Sequence, residues 1–78
     1  MEYETRLGSE ELLRIRALRT MLSSGEARRR RIQAGFTFGE ISAACGVAAS
    51  TVASWESGEK RPCTRRALVY LEILEQLA

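Results

Sequence analysis

Few residues in this 78-residue chain could make or break bonds. There is no histidine, and the acidic side chains are all glutamates scattered singly or in exposed-looking helix starts. Hydrolytic or acyl-transfer chemistry needs a base held beside a nucleophile, and no such pairing stands in the sequence. Two cysteines, Cys45 and Cys63, are too few for a four-ligand zinc site, and their spacing matches no finger or ribbon. Both are expected as free, reduced thiols behaving as small hydrophobes. The expectation is therefore no enzyme, no metal and no cofactor. The remaining chemistry belongs to arginine. Leu12–Arg31 carries seven arginines against Glu26, and Glu59–Arg66 carries four cations against Glu59. The stretch between them holds only Glu40 and Glu56, so a net charge of +2 conceals strong segregation. Two basic blocks around a nearly uncharged middle suit a reading element gripped on both sides by phosphate. Arginine-rich helices that merely solvate a small protein would give the same charge pattern.

Length allows one domain, residues 1–78. A chain this short buries only about 60–65% of its unfolded surface, so self-association would help it. No apolar run approaches the roughly 20 residues that cross a bilayer, and the acidic N-terminus does not read as a signal peptide. The expected address is cytoplasmic, with no membrane partner.

The elements that must position the arginines are all helical. Ser9 as N-cap, Glu10 and Glu11 in the first turn and Leu12, Ile15, Leu18 and Leu22 at helical spacing predict an accessory helix over 9–22. Leu13 and Ala17 lie beside that stripe. Ser23 and Glu26 fit a capping box, restarting the chain as a helix over Gly25–Ala34 that meets the core through Ala27, Ile32 and Ala34. Thr37 and Glu40 fit another, starting a helix at Phe38 with Ile41, Ala44 and Cys45 inward. Gly46 ends it, and a fourth helix covers Ala49–Ser57 with Val52 and Trp55 inward. Pro62 breaks the chain, and a last helix fills Cys63–Leu77. The fold class is an all-α, compact five-helix bundle: accessory helix 9–22, core 24–62, C-terminal helix 63–77.

Between Phe38 and Trp55 lie two short helices joined by a glycine turn, the outline of a helix-turn-helix. Its physics needs a small residue where the helices approach (Ser42) and a residue tolerant of positive φ at the turn (Gly46). It also needs apolar locks, which Ile41, Cys45, Val47, Val52 and Trp55 provide. The stretch RRRRIQAGFTFGEISAACGVAASTVASWESGEKRP, Arg28–Pro62, resembles the lambda-repressor-like helix-turn-helix family of Cro-type repressors and xenobiotic-response-element regulators. The W-E-x-G ending after the turn makes the resemblance specific.

The resemblance implies double-stranded DNA as the partner, bound in the major groove by the helix near Ala49–Ser57. It places Ala48, Ala49, Ser50, Thr51 and Ser54 facing the bases. Thr37, Phe38, Ser57, Lys60 and Arg61 fall where the family meets the phosphate backbone. Arg31 and Glu56 take the places of a buried ion pair. Two departures stand out. Phe38 replaces the family's usual glutamine and cannot donate to phosphate, so that contact is lost or passes to backbone amides of the helix start. Ala48 replaces the usual capping serine. The base-facing set is small, with no side chain able to make a bidentate base contact, so direct readout is expected to be thin.

The last helix spreads Ala67, Val69, Tyr70, Leu71, Ile73, Leu74 and Leu77 over about 200°, wider than one buried stripe. Either the first helix or a second subunit covers the surplus, and a homodimer through the C-terminal helix on a palindromic operator is expected. The leading expectation is a transcription regulator, a repressor of phage or mobile-element type. The alternatives are an antitoxin or a recombination or excision factor, each with a protein partner.

Overall fold

The computed structural model describes residues 7–77. These form α1 (Ser9–Ser24), α2 (Glu26–Ala34), α3 (Phe38–Cys45), α4 (Ala49–Ser57), a 3₁₀ turn at Arg65–Ala67 and α5 (Leu68–Gln76). The fold is all-helical, with no strand among the described residues. One core unites it: Ile15, Leu18, Leu22, Ala27, Ile41, Cys45, Val52, Trp55, Tyr70, Leu71 and Leu74 are all buried.

α1 starts one residue earlier than Ser9 suggests. Gly8 is the N-cap, in extended geometry, and its amide donates to Glu11 Oε1 at 3.0 Å. The helix then runs past Leu22 to Ser24. The expected capping box at Ser23 and Glu26 does not form. Ser23 donates back to the Thr20 carbonyl at 3.2 Å, and Glu26 pairs forward with Arg29 and Arg30. Gly25, at φ +85°, both ends α1 and opens α2, a joint that a β-carbon would strain. Ile15, Leu18 and Leu22 are buried, whereas Leu12 and Leu13 are 53% and 65% exposed. Leu12, expected in the stripe, instead borders a surface groove.

α2 meets the core differently from its apolar pattern. Ala27 is buried, but Ile32 and Ala34 are exposed, and Arg31 occupies the inward position one turn after Ala27. Spacing explains Arg31 and Ile32, because residues i and i+4 share a face while i+5 turns away, whereas Ala34 is the last residue of α2, next to the Gly35 cap. In α3 the buried residues are Ile41, Ser42 and Cys45, and Ala44 faces solvent. Burial pushes the Cys45 thiol above its ordinary range.

The expected helix over Cys63–Leu77 is shorter and broken. Pro62 is buried, its carbonyl accepts from Arg19 Nε at 2.9 Å, and Thr64 is extended at φ −122°, ψ 164°. The chain therefore passes Cys63 and Thr64 as a strap before the 3₁₀ turn. α1 packs along α5, and Arg14 pairs with Glu75 at 3.0 Å across that contact. Arg30 closes the far end of α5 by donating to the Leu74 carbonyl at 2.9 Å. The N-terminal helix thus contributes Ile15, Leu18 and Leu22 to the common core. It covers Tyr70, Leu71 and Leu74 jointly with α3, leaving Val69, Ile73 and Leu77 half-buried.

Candidate nucleic-acid interface

The α3–turn–α4 unit is built from local bonds. The Thr37 hydroxyl accepts from the Glu40 amide at 3.1 Å, and Glu40 Oε1 accepts from the Thr37 amide at 2.9 Å. This reciprocal cap fixes where α3 starts. It leaves the Phe38 and Gly39 amides at the outer end of the helix without acceptors among the described residues. At the other end Gly46, at φ +76°, turns the chain, and the Gly46 and Val47 amides both return to the Ser42 carbonyl at 2.8 and 3.0 Å. Arg66, from the 3₁₀ turn, donates to the Gly46 carbonyl at 2.6 Å and lies so close that a β-carbon there would sit 3.3 Å from Nη1. Arg66 thereby clamps the turn from outside, a role its sequence context does not signal.

α4 begins at Ala49 with Ala48 as an N-cap that makes no side-chain bond. Val52 and Trp55 hold it to the core. Ala48, Ala49 and Ser50 are exposed, and Thr51 and Ser54 are half-buried, so these five sit along one accessible side and the leading end of the helix. Ser54 leans toward Glu59 Oε1 at 3.5 Å. Ser57, Lys60 and Arg61 are exposed in the segment after α4, whose path is held by the Lys60 amide to the Ser54 carbonyl at 3.2 Å and by Arg19 on Pro62.

Beneath this surface lies a buried polar cluster. Arg31 donates from Nε to Glu56 Oε2 at 2.7 Å and from Nη2 to Glu56 Oε1 at 3.0 Å, with both side chains under one-tenth exposed. Its third nitrogen, Nη1, donates to the Phe36 carbonyl at 2.9 Å. The fully buried Tyr70 hydroxyl donates to Glu56 Oε2 at 2.5 Å. The carboxylate thus ties α2, α4 and α5 together, and it raises the Arg31 pKa further. Burial, then the bond to Glu56, pushes the Tyr70 phenol well above its ordinary range. Phe38 covers the cluster: the Arg31 guanidinium lies 4.2 Å from its ring centroid. A phenylalanine that cannot reach phosphate therefore shields the ion pair from water. Tyr70 read in sequence as one more apolar residue of the last helix. The only available signal was that a buried tyrosine usually finds a partner for its hydroxyl.

Most of the arginines point inward or sideways. Arg14, Arg19, Arg29, Arg30, Arg31, Arg65 and Arg66 all have protein partners. Among the described residues Arg16, Arg28, Lys60 and Arg61 make no side-chain hydrogen bond or ion pair. The first basic block is thus largely scaffold, which narrows the gripping surface expected from charge alone. No group of side chains among the described residues could hold a metal ion, and no helix is long and apolar enough to cross a membrane.

A family model described as a helix-turn-helix domain matches residues 24–75, two-thirds of the chain and all of α2 to α4. The chain belongs to the Cro/lambda-repressor-like helix-turn-helix family. No curated protein and no solved structure matches it significantly. Membership points to DNA binding as the function of the domain. The match begins at the last residue of α1, so nearly all of the helix that packs along α5 lies outside the matched stretch.

Proposed function

We propose that this protein is a sequence-specific regulator of transcription, acting as a repressor by seating the N-terminal half of α4 in the major groove. The observation that carries the reading is the shared placement of the exposed leading end of α4, the open amides of Phe38 and Gly39, and the unpartnered Lys60 and Arg61. Ala48, Ala49, Ser50, Thr51 and Ser54 face the bases in this reading. Alanines and the threonine methyl favour thymine methyl groups, and the hydroxyls accept several bases. The phosphate grip comes from Thr37, from the Phe38 and Gly39 amides, and from Ser57, Lys60 and Arg61. Thr37 is already occupied in its cap, so its contribution passes through the helix end it stabilises.

A reader this thin gains from symmetry. Two copies about 34–36 Å apart read a palindrome and combine modest half-site energies. The half-buried Val69 and Ile73, one turn apart on α5, and Leu77 at its C-terminal end form the stripe through which a homodimer would join. Selection of bound duplexes from a random pool tests the reading. Enrichment of a two-fold symmetric sequence is expected, with sedimentation showing a dimer that Ile73→Glu disrupts. Failure to enrich any sequence, or tight binding by a monomer to one half-site, would overturn it.

A further inference from the structure

A broad concavity among the described residues lies away from the leading end of α4. A groove of about 890 Å³ runs between α1 and the segment that follows α4. Its apolar side is Leu12, Leu13 and Pro62, and the first two are among the few large hydrophobics the fold leaves exposed. Its rim carries Arg16, Lys60 and Arg61, three of the four cations that make no side-chain contact among the described residues. Among the described residues the one acidic side chain that lines it, Glu56, is already bound by Arg31 and Tyr70. Apolar ground ringed by unsatisfied positive charge is complementary to a helix with leucine-like residues on one face and carboxylates beside them. DNA would use the cations and leave the leucines in water. A second copy would bring the same positive rim against itself.

We propose that this groove is a docking site for an acidic amphipathic helix of another protein. The bound helix would lay apolar side chains over Leu12 and Leu13 and offer glutamates or aspartates to Arg16, Lys60 and Arg61. The site goes beyond the DNA-binding reading, because nearly all of α1 lies outside the matched stretch. Docking would engage Lys60 and Arg61, which the proposed DNA contact also uses, so such a partner would oppose DNA binding.

The peptide titrations use the full chain without DNA, so they do not depend on the operator reading, and duplex binding enters only as a separate arm. The probe is a helical peptide of about 15 residues with leucines at i, i+3, i+4 and i+7 and glutamates elsewhere. A lysine version and a scrambled glutamate version serve as controls. Trp55, the sole tryptophan, lines the groove and reports binding by its emission, with amide chemical shifts locating the site. The glutamate peptide is expected to bind with shifts at Leu12–Arg16 and Lys60–Arg61, and the controls at least about tenfold more weakly. Leu12→Ser with Leu13→Ser should cost about tenfold, and Arg16→Ala should lower both affinity and its salt dependence. The leucines are exposed, so these variants keep the fold, which a melting curve verifies. Equal binding of the glutamate and lysine peptides, or no effect of the leucine changes, overturns the proposal. So does self-association that the leucine changes abolish, which would assign the groove to a second copy. Absence of peptide binding while Arg16→Ala weakens duplex binding as much as Lys60→Ala would assign it to DNA.

Discussion

Replacing Glu56 with alanine removes from α4 the acceptor shared by donors of two other elements, Arg31 of α2 and Tyr70 of α5. Arg31 keeps only the Phe36 carbonyl and the Phe38 ring, with its charge still under one-tenth exposed. Stranding one member of a buried pair costs about 3–5 kcal/mol. The Tyr70 hydroxyl loses its acceptor as well, and an orphaned buried hydroxyl costs about 1–3 kcal/mol. The two penalties overlap, because the cavity left by the carboxylate can admit water to both groups. A net loss of about 4 kcal/mol is expected, against a total stability of roughly 5–15 kcal/mol for a domain. At about 4–8 °C per kcal/mol for a chain of this size, the midpoint falls by roughly 16–32 °C. Urea unfolding followed by helical circular dichroism measures it, with an unchanged slope if only the native state is affected. Arg31→Ala alone should be comparably damaging, and the double variant clearly less so than the two losses added. Tyr70→Phe, which leaves both Arg31 bonds to Glu56, should cost about 1.5–3 kcal/mol. Losses below about 1 kcal/mol that add in the double variant would refute the cluster as a structural tie.

Lys60→Ala or Arg61→Ala should weaken binding to all duplexes alike and lower the slope of log affinity against log salt by about 0.9 per contact, read by fluorescence anisotropy. Phe38→Gln should have opposite effects on two properties: thermal stability falls by about 0.5–2 kcal/mol as the cover over Arg31 is lost, while duplex affinity rises as a phosphate donor is gained. The Glu11 carboxylate, held down to about 2 from 4.5 first by its bond to Arg65 and then by the Gly8 amide, favours the folded state while it is ionised. Because that pKa is lowered on folding, the contribution is complete above 4.5 and is lost as pH falls towards 2. Glu11→Gln should flatten the acid limb of a stability–pH curve over this window.

The helix-turn-helix was legible because its limits are written in local chemistry. Thr37 and Glu40 cap each other, Gly46 turns the chain and Gly58 stops α4, all within a few residues. The destinations of the arginines were not legible. Arg31 and Arg28 stand in one run, yet one is buried against Glu56 and the other exposed, and only the packing of α2 on α4 and α5 separates them. For the same reason Ile32, apolar and near Arg31, ends up in solvent. The break before α5 escaped because Pro62 marks only where helix cannot continue backwards. The strap at Cys63 and Thr64 depends on Arg19, 43 residues away in sequence. Among the site residues, Lys60 and Arg61 emerge free, while Thr37 and Phe38 are occupied by a cap and by an ion pair. Short-range motifs could place those two residues but not their partners.

The central claim is that α4 and its flanks meet DNA. The most direct test is an amide chemical-shift footprint of the full chain titrated with its selected duplex. The account predicts the largest changes at Thr37–Gly39, Ala48–Ser54 and Ser57–Arg61, with α1 and α5 little affected. A footprint centred on the arginine faces of α1 and α2, with Ala48–Ser54 unmoved, would contradict it.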